Sequence, residues 1–196
     1  MAFTSPNSQK PLSQLSNLVF ELRSIVNHRP YRWISCWFSG ATHTIISYRI
    51  DRFGFLLFKQ GWVLLRFLLL PYQFLVRMLG GNHEIHYKAD IGRGLMVLHP
   101  ALGIVVSGYT VAGTGLLLTG GNCIGIRKKT EVGDLVLGNN VHLGANAVIL
   151  GPVHIADNVR IGAGAVVIND APANAVLVGV PASQIGTINF DLENLA

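Results

Sequence analysis

Histidine changes protonation near neutral pH, so it is the first residue type to consider for acid–base chemistry. The 196-residue chain has seven histidines, among them His86, His99 and His142 in the stretches EIHYKADIGRGLMVLHPALGIVVSG and VHLGAN. An imidazole there could take the proton from a hydroxyl, which is a poor nucleophile at neutral pH. His99 precedes Pro100 and could equally be a satisfied structural histidine; on residue type alone the two readings stay open. His142 could face a cleft and act as the base instead. Cys36 and Cys123 lie far apart and match no metal or redox spacing, so no metal site is expected and a reducing, cytoplasmic compartment fits. Gly113 and Gly115 in VAGTGLLLTGG resemble part of a dinucleotide loop. The third glycine of that fingerprint would fall at Leu118, and no strand-turn-helix context surrounds it, so both read as corner residues. Arg127, Lys128 and Lys129 form a basic run that could meet phosphates or an anionic acceptor, or simply be solvated.

The elements that must position these residues repeat every six positions from Ile85 to about Gly179. In register the blocks begin at Ile91, Ile104, Leu135, Val141, Ala147, Val153, Val159 and Ala165. Each opens with an aliphatic residue or Ala, and Gly, Asn or Asp crowd the later positions. A fixed hexapeptide period marks a parallel β-helix. One short strand cannot bury its apolar residue alone, whereas stacked triangular coils bring like positions into a continuous core. Gly and Asn suit the corners, where the chain turns sharply. A β-sandwich would show more varied strand lengths and would not hold this phase across eight blocks. The expected fold is mainly β, a β-helix preceded by an α-helical segment. Its parts are a helical region over 1–82, the β-helix over 83–186 and a tail over 187–196. The basic stretch from Ile126 to Asp134 breaks the phase and predicts an exposed loop. Pro172 and Pro181 predict the end of regular strand pairing.

Half of the residues are hydrophobic and 13% are charged, so a sizeable core can be buried. Charge is uneven: residues 1–84 carry nine Lys/Arg against three Asp/Glu, and residues 85–196 carry six against seven. A basic, aromatic front half could meet a membrane surface or another acidic partner, or be a solubilising face. No nucleic-acid motif accompanies it. No basic segment followed by an apolar one opens the chain, so no secretory signal is expected. Leu12, Leu15, Leu18, Val19 and Leu22 recur at helical spacing over Leu12–Val26. Pro30 interrupts, a second helical stretch with Trp33 and Trp37 runs from Tyr31 to Phe53, and a third from Phe55 to Leu79. The third is the most apolar, but Lys59, Gln60, Arg66, Pro71 and Arg77 break it, and Arg66 in mid-segment would be costly in lipid. A helix packing between subunits or on the β-helix is expected, with peripheral membrane contact as the alternative. Gly80, Gly81 and Asn82 mark the boundary.

The stretch EIHYKADIGRGLMVLHPALGIVVSG resembles the serine O-acetyltransferases, which read close to D-I-H-P-A-x-I-G-x-G-x-x-x-D-H-A-T-G-I-V-V-G. The end, GAGAVVINDAPANAVLVGVPA, is similar to that family and to hexapeptide acyltransferases generally. The resemblance covers about Glu84 to Ala182. It implies acetyl transfer from acetyl-CoA to a hydroxyl in a homotrimer of left-handed β-helices with active sites between subunits. By this resemblance His99 is the general base and Glu84, where the family has Asp, is the carboxylate that orients it. His86 matches a family histidine and reads as structural. Gly144, Ala145, Gly162 and Ala163 would line the pantetheine groove, and Arg127 and Lys128 would meet the CoA phosphates. Two departures stand out. Leu98 replaces the family's Asp that contacts the serine amino group, and the loop Arg127–Asp134 has no histidine. Leucine cannot hold an ammonium. A sugar or polysaccharide precursor is therefore the expected acceptor. Serine itself is the alternative, and a non-catalytic scaffold subunit is the second alternative.

Overall fold

The computed structural model describes residues 10–26, 39–72, 74, 78, 83–128 and 131–188. The Pro30 break, Trp33, Trp37, Cys36, the Gly80–Asn82 boundary, Lys129 and the tail beyond 188 lie outside the described residues.

The hexapeptide half winds through three sheets in rotation. Strand β1 (His83–Ile85) lies in the first sheet, β2 (Asp90–Ile91) in the second and β3 (Met96–Val97) in the third. The cycle continues through β4 (Ile104–Val106), β5 (Thr110–Ala112), β6 (Leu117–Leu118), β7 (Asn122–Ile126), β8 (Leu135–Leu137) and β9 (His142–Leu143). It then runs through β10 (Val148–Gly151), β11 (Val153–Ile155), β12 (Arg160–Ile161) and β13 (Val166–Val167). Pairing is parallel and one coil apart: Glu84 registers with Val105, Val105 with Cys123, Cys123 with Val148 and Val148 with Val166. This is a parallel β-helix of about four turns, as the repeat predicts. All eight block-opening residues are at most 1% exposed, which is why the six-residue phase is kept. They stack into a continuous hydrophobic core.

Corners need backbone that most residues resist. Asn140, Asn158 and Asn174 take the left-handed conformation at one edge and form a ladder. The Asn140 amide donates to Asn158 at 3.1 Å, and that of Asn158 to Asn174 at 3.1 Å. Gly113 and Gly115 belong to the same edge; a Cβ on Gly113 would meet Asn139 Oδ1 at 2.5 Å. They pack coils and cradle no phosphate loop.

The prolines do not end the pairing. After Pro172, β14 (Ala175–Val178) joins β12 in the third sheet. After Pro181, β15 (Ser183–Thr187) turns back antiparallel on β14 and takes in Gly186 and Thr187. Both prolines sit in turns, where a missing N–H costs the ladder nothing.

Helix α1 (Pro11–Val26) matches the predicted span, and α2 runs Gly40–Phe58. No break occurs at Phe53–Phe55: the helix runs through Gly54, against which the Trp62 ring packs. Short helical turns Lys59–Gly61, Trp62–Leu65 and Arg66–Leu69 prolong the run. The face that α1 buries is mixed: Val26 is buried and Leu18 and Ile25 pack on the core, beside a polar stripe. Gln14, Asn17 and Glu21 are buried, while Leu12 is 75% exposed. The cause is Arg49 of α2, fully buried at the head of the β-helix. It donates to both Glu21 carboxylate oxygens, to Gln14 Oε1 at 2.8 Å and to the carbonyls of Ile91 and Gly92 at 2.9 and 2.7 Å. Glu21 Oε1 also accepts the Gly94 and Leu95 N–H groups at 3.1 and 2.9 Å. A buried guanidinium demands acceptors, so the polar stripe of α1 turns inward.

Candidate active site

His99 follows β3 at the edge where the third sheet passes to the first. The Leu98 N–H donates to the Leu118 carbonyl at 2.8 Å, which holds the approach to the corner in the ladder. His99 itself leaves it, with φ 47° and ψ 52°. A non-glycine residue in this left-handed well is uncommon, and such conformations cluster at functional sites. A 3-10 turn, Pro100–Leu102, follows, and the His99 carbonyl accepts the Leu102 N–H at 3.2 Å. The His99 side chain is exposed.

Small residues stack along the same edge. Gly120, then Gly144 and Ala145, then Gly162 and Ala163 occupy successive coils. They are joined through Asn146 N–H to the Gly120 carbonyl and Gly164 N–H to the Ala145 carbonyl, each at 2.8 Å. A Cβ on Gly120 would come within 2.5 Å of the His99 carbonyl, and one on Gly144 within 2.7 Å of Ala163 N. The glycines are thus required for coil packing. The same smallness leaves backbone accessible along a line roughly 14 Å long, taking three coil spacings from His99 to Ala163.

The other candidates are placed differently. Glu84, exposed on β1, registers beside the strand after the His99 turn, yet no hydrogen bond or ion pair joins Glu84 and His99. Its carboxylate acts on His86. Burial, with Lys88, holds His86 below the usual histidine range against the opposing pull of Glu84. His86 Nδ1 accepts the Lys88 N–H at 3.1 Å, a contact that only the unprotonated nitrogen can make. Arg127 and Lys128 follow β7 at the opposite edge of the first sheet, and Arg127 donates to the Ile168 carbonyl at 2.8 Å. His142 points outward from the third sheet beside Arg160, and burial, then the Arg160 charge, lowers its pKa. A cavity of about 670 Å³ lies where the first sheet passes to the second, under Phe55 and Val132, and reaches Glu84 and His86. His99 does not line it. No periodicity reveals this cavity, because its roof comes from α2 and from the phase-breaking loop.

The family model for bacterial transferase hexapeptide (six repeats) matches residues 126–169. The serine acetyltransferase of Neisseria gonorrhoeae superposes with a TM-score of 0.73 at 28% identity, over 94% of this chain and 69% of that one. In fold and in sequence the chain is similar to serine acetyltransferases. The likeness extends through the helical region, which the repeat alone does not cover. A serine acetyltransferase solved in complex with CoA aligns at 26% identity and a TM-score of 0.65, over 89% of this chain and 70% of that one. WcaB of Escherichia coli (strain K12), assigned by name to colanic acid biosynthesis as an acetyltransferase, is 37% identical over 101 residues. That match spans 52% of this serine-acetyltransferase-like chain and 62% of WcaB.

Proposed function

We propose that the chain transfers an acetyl group from acetyl-CoA to a hydroxyl of a sugar or polysaccharide precursor, with His99 as general base. The observation that carries this reading is His99 itself: an exposed imidazole on left-handed backbone, heading a stack of small residues suited to an extended thioester cofactor. His99 takes the acceptor proton as the hydroxyl oxygen attacks the acetyl carbonyl. The carbon–sulfur bond then breaks, and the imidazolium returns its proton to the departing CoA thiolate. Glu84 is the proposed orienter of that ring and must swing from His86 to do so. The resemblance to enzymes that bind CoA supports the groove assignment for Gly144, Ala145, Gly162 and Ala163.

A cyclic trimer supplies what one chain lacks. Each copy in such a ring presents two different surfaces to its neighbours. The outward row of the first sheet begins at Glu84 and is otherwise Val105, Cys123, Val148 and Val166, an apolar stretch that suits the threefold axis. The edge bearing Arg127 and Lys128 in one copy would then meet the Gly144 edge of the next, within reach of CoA phosphates.

Leu98, 40% exposed and adjacent to His99, supports a sugar over serine. An ammonium group beside it would lose hydration without a partner, at a cost of several kcal/mol. The test is release of free CoA thiol by the purified chain with acetyl-CoA and a panel of sugar acceptors, with L-serine, or with no acceptor. Turnover with a saccharide and little with serine is expected, and Leu98→Asp should raise serine use. Preferential serine acetylation would establish the alternative reading. Failure to bind CoA, with no turnover on any acceptor, would leave a scaffold.

A further inference from the structure

The helical region exposes apolar surface that the β-helix does not cover. Beyond α2, Leu64, Phe67 and Leu68 are 73%, 66% and 76% exposed, and Phe74 and Met78 extend the row at helical spacing. On α1, Leu12, Leu15 and Val19 form a second such row, left outside when the polar stripe turned in toward Arg49. The run Gly40–Tyr72 is long and apolar enough to cross a membrane by length and composition, with only 11% of its most apolar window buried. It cannot leave the β-helix to do so. Arg49 grips the Ile91 and Gly92 carbonyls, and Arg52 pairs with Asp90 of β2 at 3.4 Å. It can only lie against a surface.

Charge decides which surface. Among the described residues of the helical region the acids are Glu21 and Asp51, and both are buried in ion pairs, with Arg49 and Arg66. The exposed charged side chains described there are Lys10, Arg23 and Lys59, all cations, while Arg66 is half-buried against Asp51. We propose that this apolar helical surface, whose exposed charges are cations, lies on an anionic lipid bilayer, with Leu64, Phe67 and Leu68 inserted below the headgroups. A second copy docking the same face on itself would set cations against cations. The inference is independent of the acetyl-transfer chemistry.

The experiment sediments the purified full-length chain with phosphatidylcholine vesicles, and with vesicles containing about 30% phosphatidylglycerol, at about 0.05 M and about 0.5 M salt. Pelleting at least about fivefold greater with the anionic vesicles at low salt, most of it lost at high salt, is expected. The variant Leu64→Glu/Phe67→Glu, checked by its melt to be folded, should pellet about tenfold less at unchanged oligomeric mass. Three results would overturn the proposal: no pelleting on anionic vesicles at low salt, equal pelleting of the variant, or a lower oligomeric mass for the variant by light scattering. The last would mean that another copy covers the face.

Discussion

Arg49→Met removes a buried side chain that ties both helices to the β-helix. The guanidinium is fully buried, and Glu21 beside it is 1% exposed. With Arg49 gone, the Glu21 carboxylate keeps the Gly94 and Leu95 N–H groups but loses its counter-charge, and the Ile91 and Gly92 carbonyls lose the guanidinium donors. Breaking a buried pair from one side costs about 3–5 kcal/mol. For a chain of this size each kcal/mol moves the melting temperature by about 2–4 °C, so a loss of about 6–20 °C is expected. Arg49→Lys should fall between, because one ammonium cannot span acceptors that the planar fork reaches together. Arg49→Met/Glu21→Met should recover part of the loss, since no charge remains stranded. The assay is a thermal melt of each variant with limited proteolysis of α1. An Arg49→Met protein melting within about 2 °C of the parent would refute the clamp.

Three further outcomes follow from the coils. Asn158→Ala should destabilise by about 2 kcal/mol in denaturant melts, from the left-handed backbone and two ladder hydrogen bonds, and Asn158→Gly by less. Ala163 is exposed on the groove edge, so Ala163→Leu should raise the KM for acetyl-CoA about tenfold with an unchanged melt. Burial holds His86 and His142 below the ordinary histidine range, so both fold preferentially as neutral rings. A folded pKa below the unfolded one gives stability that is present above about pH 6.5 and lost as pH falls through the folded value. The melting temperature should drop on acidification below that point, and less steeply in His86→Asn/His142→Gln; parallel curves would exclude these two rings.

The β-helix was legible because its period is the fold: each block opener is a core residue, and no long-range information is needed to see it. The corner glycines and asparagines were legible for the same reason. The facing of α1 was not. Its leucines carry a helical stripe, but the outcome was decided by Arg49, some 28 residues from Glu21 in sequence. The strand after Pro172 escaped notice because a proline in a corner differs from one in a ladder only by register. Of the site, His99, Gly144 and Ala163 were singled out through the resemblance to serine O-acetyltransferases, and the coils set them along one edge. The Glu84 interaction with His86, and the Arg127 bond to the Ile168 carbonyl, could not be read that way. Side-chain direction within a strand and the choice of prism edge come from packing, which the hexapeptide pattern does not encode.

The account turns on His99, and single-turnover acetyl transfer by His99→Ala tests it most directly. With saturating acetyl-CoA and a productive acceptor, the rate should fall by about 10²–10⁴-fold while CoA binding and the melting temperature hold. A rate within about threefold of the parent would contradict the assignment, since a general base cannot be deleted so cheaply.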